Sequence, residues 1–285
     1  MVKGVQYVTA ALLSEMGVKH GWFMRQGGVS EGLFASLNGK KGIGDPDANV
    51  DENRRRALAV LCHPEQVMAK SKGLSLGSNQ TLSRASDEKL VYIKHEFKSG
   101  ILKAKGAGEY ENYDAVYSAK KGVVLSQTTA DCASVIIADT NHKVVALVHG
   151  SWHTLKAELI CDVVAKIKQE PGVGELVAGI GPMICKKCYE FGEEAKDLFD
   201  ATYITLVADR SEQNEQSKIL RDAHDDKGDD IKYLVDLKLM VIDQLKESGI
   251  TKIDDVNICT KEDVRFFSHR RSGPNSGRMI TLAQK

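Results

Sequence analysis

One thiol and two imidazoles stand where apolar runs of this chain begin or end. Cys132 lies in Gln127-Thr-Thr-Ala-Asp-Cys-Ala-Ser-Val-Ile-Ile-Ala-Asp139, at the start of the apolar run Val135-Ile-Ile. His149 closes Val144-Val-Ala-Leu-Val, and His95 falls near the end of Leu90-Val-Tyr-Ile-Lys-His-Glu-Phe97. Polar groups at the edges of buried strands cost free energy unless they are partnered, so the three call for a common explanation. Three N/S ligands suit zinc with its fourth tetrahedral position open, the arrangement of a catalytic centre. Such a centre lowers the pKa of a bound water or polarises a substrate heteroatom. The same residues also suit a metal-free site, with Cys132 as thiolate nucleophile and His149 as its base. The blander alternative makes Cys132 a small buried hydrophobe and His95 a hydrogen-bonded structural histidine. Spacing alone does not choose among these.

Other residues are weighed by what they add. Arg25 precedes the Gly27-Gly28 turn, as a surface arginine at a strand end or as an anion contact beside exposed amides. Ser36-Leu-Asn38 leads into Gly39-Lys-Lys-Gly-Ile-Gly-Asp-Pro46, which lacks the spacing of a Walker loop or a dinucleotide fingerprint. Cys185-Lys-Lys-Cys188 has the spacing of a redox pair or of half a zinc site. No second pair with that spacing exists, which favours a structural or incidental role.

The elements that must position these groups alternate between strand and helix patterns. Strands are expected from His20 up to the Gly27-Gly28 turn, at Leu90–Phe97, Val135–Ile137 and Val144–Val148, from Leu176 into a turn by Pro182, and at Val256–Cys259. A helix is expected over 47–61, with Asp51 and Glu52 in its early turns. Leu155, Leu159, Ile160, Val163, Val164 and Ile167 mark an amphipathic helix, and Leu234, Leu237, Met240, Val241 and Leu245 a late one. Polar or charged excursions interrupt the pattern near 68–88 and 208–230. The expected class is α/β (α+β type), a single mixed-sheet domain over 1–285.

Lys+Arg and Asp+Glu are equal at 39 each, so no global field draws in nucleic acid or an anionic membrane. No apolar run approaches a membrane span. Residues 1–8 lack a basic start, an apolar stretch and a cleavage site. Together with six cysteines, this predicts reduced thiols in a cytoplasm. No signal for an oligomeric state is present.

Several motifs in collinear order resemble one family. They are Arg25-Gln-Gly-Gly-Val-Ser30, Ser36-Leu-Asn38, Gly44-Asp-Pro with Glu52-Asn-Arg54, Thr129-Ala-Asp-Cys132, and Val148-His149 with Trp152. Gly179-Ile-Gly-Pro182 with Cys188-Tyr-Glu190, and Phe266-Phe-Ser-His-Arg-Arg271 with Gly277-Arg-Met279, complete the set. The chain thereby resembles the YfiH-like, laccase-domain proteins, variously called polyphenol oxidases, peptidoglycan editing factors or purine nucleoside phosphorylases. The resemblance implies a fold shared with some cysteine deamidases. It implies a zinc site on His95, Cys132 and His149, with copper less favoured because one such set does not supply the several centres of a laccase. It implies phosphorolysis of adenosine, inosine and methylthioadenosine, and adenosine deamination, with purine nucleoside and phosphate as partners. Arg25 would contact phosphate or substrate, Asn38 would line the pocket, and Arg270 is a further substrate contact. An amide hydrolase editing peptidoglycan precursors, through the metal or Cys132 as nucleophile, is the second reading. A metal-binding protein without turnover is the third.

The chain departs from the family where substrate would sit. The usual HAGWRG reads His149-Gly-Ser-Trp-His-Thr154, so His153 replaces an arginine with a side chain that is largely neutral at pH 7 unless shifted. The usual proline two places after the cysteine is Ser134, and QVHG is Ile93-Lys-His-Glu96.

Overall fold

Val135, Ile136 and Ile137 are all fully buried, yet they face different partners. Val135 and Ile137 pack against helices, whereas Ile136 packs against a second sheet. This period-two division extends across the molecule. The computed structural model describes residues 4–62, 89–207 and 232–285. The expected excursions at 68–88 and 208–230 lie outside those residues.

In chain order the strands are β1 (Tyr7–Val8), β2 (Lys19–Phe23), β3 (Leu90–Lys94), β4 (Ile101–Lys103) and β5 (Gly108–Glu111). Next come β6 (Ala115–Ser118), β7 (Val124–Thr129), β8 (Ala133–Asp139), β9 (Val145–Gly150) and β10 (Leu176–Ile180). The last are β11 (Glu190–Phe191), β12 (Ile204–Val207), β13 (Lys232–Val235), β14 (Lys252–Asp255) and β15 (Met279–Gln284). One six-stranded sheet runs β1-β2-β15-β7-β3-β5, another runs β14-β10-β8-β9-β6-β4, and β11-β13-β12 form a small third. Both large sheets are mixed: β3 pairs parallel with β5 and β7, and β10 parallel with β14, while β8 and β9 are antiparallel.

The two large sheets face each other across a seam of Trp22, Val91, Ile93 and Leu125 against Val116, Ile136, Val145 and Leu147. The outer face of the first is covered by the Asp47–Cys62 helix, through Ala57, Leu58 and Leu61 on Phe23, Ile280 and Leu282. The outer face of the second is covered by the Leu159–Ile167 and Leu237–Glu247 helices. The result is four layers, helix, sheet, sheet and helix, with both faces of the central strands β7, β8, β9 and β10 buried. A fully buried strand therefore reads as a continuous apolar run, which is what Val144–Val148 showed.

Three expectations are corrected. The stretch from Leu155 to Ile167 is two helices, Trp152–Lys156 and Leu159–Ile167, parted by Glu158 in a left-handed conformation (φ 54°). Leu234 belongs to β13, because the late helix begins only at Leu237, where the Asp236 carboxylate accepts from the Leu239 amide at 3.0 Å. The last short strand before the C-terminal motif is Lys252–Asp255, ahead of Val256–Cys259, since its register places Lys252–Asp255 beside Val177–Ile180.

Ser134, at the position of the family's usual proline, forms a polar node in the apolar seam. Its hydroxyl oxygen accepts from Gln127 Nε2 at 2.8 Å and from Trp22 Nε1 at 3.1 Å, and it shares a hydrogen bond with Thr281 Oγ1 at 2.9 Å. Removing it leaves buried donors short of an acceptor. Ser134→Ala is expected to lower unfolding stability by about 1–3 kcal/mol, read as a shifted urea midpoint at constant slope. An unchanged midpoint would contradict this account.

Candidate metal centre

Strand parity brings the two imidazoles together. On β3, Val91 and Ile93 face the seam, so His95, two residues on, continues that face just past the strand's end. On β9, Val145 and Leu147 do the same, and His149 follows. One histidine thus comes from each sheet, and the rings stack with centroids 4.0 Å apart at 26°. Cys132 sits in the Ala130–Cys132 link by which the chain passes from β7 in one sheet to β8 in the other. Asp131 there has φ 85°, a conformation costly for a non-glycine residue. It is held by Thr260 Oγ1 and the Arg270 amide, each donating to its carboxylate at 2.6 Å, and by the Ile184 amide donating to its carbonyl at 2.9 Å.

Asp114 ties the site together. It is fully buried, and its carboxylate accepts from the backbone amides of Phe97, Lys98 and Ser99 at 3.2, 2.8 and 3.0 Å. The same carboxylate lies 3.0 Å from His149 Nδ1. One carboxylate thus shapes the loop after His95 and orients His149. Phe97 and Ser99 adopt positive φ to present their amides. Gly100 has no room for a side chain, since a Cβ there would meet the Asn112 carbonyl at 2.2 Å. Burial pushes the Asp114 carboxyl up, but His149 and the amides outweigh this and hold it below its ordinary value. Burial likewise works against a charged His149, yet Asp114 and the neighbouring Cys132 raise it to about 9.

His95 is the opposite case. Burial first, and then His149, push it well below the ordinary histidine value, so its imidazole is neutral. Nε2–H donates to the Thr128 carbonyl. That leaves Nδ1 as a bare lone pair, buried and without a hydrogen-bond partner. A buried acceptor lacking a donor carries a desolvation cost, and a cation at that point removes it. Ligand atoms of His95, Asp114 and His149 lie within 4.8 Å of one another. Cys132 is half-buried and hydrogen-bonds to His149. The donor set of imidazoles and thiolate, with the carboxylate behind His149, fits a zinc-class ion.

Lys40 and Arg278 lie within the field of this centre, the Arg278 guanidinium donating to the Ser276, Gly277 and Pro274 carbonyls of its own loop. Burial lowers both, and Cys132 opposes the lowering in each. Asn38, the expected pocket-lining residue, is fully buried, and its Oδ1 accepts from the backbone amides of Lys40 (3.1 Å) and Arg278 (2.9 Å). Its Nδ2 is spent on Asp45 and the Lys40 carbonyl. It positions both cations rather than touching a ligand. Arg25 donates Nε to the Ala35 carbonyl at 2.7 Å and lies over Phe267, so its contacts are with the loop and not with the imidazoles. Arg270 is exposed, packs over Tyr189 at 5.1 Å and donates to the Glu190 carbonyl. Tyr189 in turn lies within the field of Cys132. On the other side Phe97 is half exposed, with ring centroids 5.5 Å from His149 and 5.6 Å from His153, and His153 stacks on Trp152 at 3.6 Å.

Asp114, Lys40 and Arg278 escaped sequence reasoning as site residues. Asp114 carried a signal, an acid directly before the fully buried strand Ala115–Ser118. Lys40 in a Gly-rich loop and Arg278 inside a family motif carried none that separated them from surface cations.

Comparison with known proteins gives the family. A family model described as multi-copper polyphenol oxidoreductase laccase matches residues 19–284. The chain belongs to this family. A purine nucleoside phosphorylase of Clostridium acetobutylicum is 29% identical over 198 residues, covering 68% of this chain and 76% of that protein. An adenosine deaminase, RL5, from an unknown prokaryotic organism is 27% identical over 172 residues, covering 60% of this chain and 62% of its own. The crystal structure of YlmD from Geobacillus stearothermophilus superposes with a TM-score of 0.74 at 22% identity, over 100% of this chain and 97% of that one, which shows the mixed α/β fold.

Carboxylates behind metal-binding histidines fix ring orientation and raise ligand basicity. Asp114→Asn is therefore expected to weaken metal affinity by about 10–100-fold, measured by competition with a chromophoric chelator. Affinity equal to the parent protein's would remove Asp114 from the centre.

Proposed function

We propose that this protein is a zinc-dependent purine nucleoside enzyme, acting by phosphorolysis of the glycosidic bond and, in a separate reaction, by deamination of adenosine, in which water attacks the purine carbon that bears the amine and ammonia leaves. The observation that carries the reading is the buried, unpartnered Nδ1 of His95, in a ligand cluster with His149 and Asp114 whose second imidazole is hydrogen-bonded to the Cys132 thiol. A metal-free cysteine site gives that lone pair nothing to do. His95, Cys132 and His149 would hold the ion. When bound, zinc supplies Lewis acidity and a water of lowered pKa.

The chain's own residues supply the rest. Phosphorolysis needs an anion held beside the anomeric carbon, so that a phosphate oxygen forms the new bond as the glycosidic C–N bond breaks and the purine takes up a proton. Lys40 and Arg278 provide two cations beside Cys132, which offsets the loss of the family's arginine at His153. Phe97 and the Trp152–His153 stack offer flat apolar surfaces for a purine. Tyr189 and Arg270 stand on the Cys132 side. Relatives named purine nucleoside phosphorylase and adenosine deaminase support both activities. Among the described residues no helix is long and apolar enough to cross a membrane, and the expected setting is the cytoplasm.

One observation favours a second reading. Cys132, His149 and Asp114 lie in the order thiol, imidazole, carboxylate, the relay of a cysteine nucleophile. On that reading the substrate is an amide, as in a peptidoglycan precursor.

Zinc-loaded protein is expected to release free base from adenosine or inosine only with phosphate present, and to deaminate adenosine without it. Chelation should abolish both activities and zinc should restore them. Lys40→Ala and Arg278→Ala should each raise the phosphate KM at least about tenfold, the loss of one charge-assisted contact, while leaving deamination nearly unchanged. Neither free base nor deaminated product from zinc-loaded protein would refute the proposal. Amide hydrolysis that survives chelation but not alkylation of Cys132 would establish the second reading instead.

A further inference from the structure

A second cluster of ligand atoms lies outside this centre. Cys185, Cys188 and Cys259 place their sulfurs within 4.8 Å of one another. Sequence spacing showed only half of it, because Cys259 is distant in the chain and reaches the pair through a parallel bridge between Met183 and Cys259. Cys185 and Cys188 flank a single 3-10 turn, Lys186–Cys188, with the Cys188 amide donating to the Cys185 carbonyl at 3.0 Å. Cys188 is buried, and Cys185 and Cys259 are half-buried. All three are free thiols.

The backbone around Cys259 is arranged for negative charge on sulfur. The Cys185 amide donates to Cys259 Sγ at 3.4 Å, and the amides of Lys261 and Glu262 also point at that sulfur. Amides converging on sulfur favour thiolate over thiol. Zinc–sulfur bonds of about 2.3 Å put tetrahedral ligands about 3.8 Å apart, so a small rotation of each side chain closes this set onto one ion. A thiolate triad is soft, and it selects zinc or another thiophilic ion over magnesium or calcium.

We propose that Cys185, Cys188 and Cys259 form a second metal site of the zinc-thiolate class, with three protein ligands and solvent at its fourth position. Its place in the fold gives it a purpose. Each cysteine adjoins a residue that reaches the Asp131–Cys132 turn. Ile184, before Cys185, donates its amide to the Asp131 carbonyl, and Thr260, after Cys259, donates its hydroxyl to the Asp131 carboxylate. Tyr189, after Cys188, lies in the field of Cys132 and Asp131. An ion bridging the three sulfurs cross-links the segments that hold the strained turn presenting Cys132. Binding releases thiol protons and adds its free energy to the folded state.

The test uses the full chain, and its readout is independent of nucleoside turnover. Protein purified under reducing conditions and reconstituted with zinc is expected to hold two zinc ions per chain. His149→Ala, which breaks the first centre, should hold one, and His149→Ala with Cys188→Ala none. Cobalt loaded into His149→Ala should show a thiolate-to-cobalt charge-transfer band that disappears with Cys188→Ala. Because Cys188 is buried and its loss can impair folding, a second measurement uses His149→Ala with all six thiols intact. Zinc should protect Cys185, Cys188 and Cys259 from alkylation, mapped by peptide mass. Equal alkylation with and without zinc would overturn the proposal, and so would a disulfide joining two of the three in reduced, zinc-loaded protein. Zinc content of one per chain in the parent protein, unchanged by Cys185→Ser or Cys259→Ser, would do the same.

Discussion

The site rests on the Asp114 carboxylate. A fully buried charge is costly unless it is paired and hydrogen-bonded, and Asp114 meets that condition with three backbone amides and one imidazole. The amides belong to the loop that follows His95 on one sheet, and the imidazole is His149 on the other. The same group therefore closes the loop, aligns the second histidine and raises its pKa. The two histidines titrate in opposite directions because only one of them contacts this carboxylate. His95 is held well below the ordinary histidine value and its Nδ1 has no donor, whereas His149 is raised to about 9 by Asp114 and Cys132.

Asp114 can do this because the two sheets end together. Their apolar seam is continuous along Val91 and Ile93 on one side and Val145 and Leu147 on the other. The next inward-facing position on each strand is a histidine. The chain crosses between the sheets only one strand away, at Ala130–Cys132, so the thiol is delivered to the same end of the seam. Polar groups that would be intolerable inside the seam become a functional set at its mouth. Ser134 shows the alternative fate of a polar group deeper in, fully hydrogen-bonded and structural.

Fixed positive charge around the centre comes from outside the segment that follows His149. His153 stacks on Trp152 and brings no fixed cation, whereas Lys40 and Arg278 converge from segments distant in sequence. Their common support is Asn38, whose single carbonyl oxygen accepts both backbone amides. A residue expected to touch substrate thus acts one step behind it. The three-cysteine cluster stands in a similar relation to Cys132, bracing the turn from behind through Ile184 and Thr260.

The sequence by itself determined the buried strands, the Asp47–Cys62 helix and the identity of His95, Cys132 and His149 as chemically loaded positions. Those features are local, because hydrophobic runs and polar interruptions are written in neighbouring residues. It misplaced the last strand and fused the Trp152–Lys156 and Leu159–Ile167 helices, since partner register and one left-handed residue leave little mark on periodicity. Only the tertiary structure decided that Asp114 joins the histidines, that Lys40 and Arg278 lie within the field of Cys132, and that Cys259 completes the pair at Cys185 and Cys188. These are contacts between sheets and loops far apart in the chain. Each depends on which face of a strand a side chain leaves and on where the sheets end, and that geometry exists only once the two sheets have closed on each other.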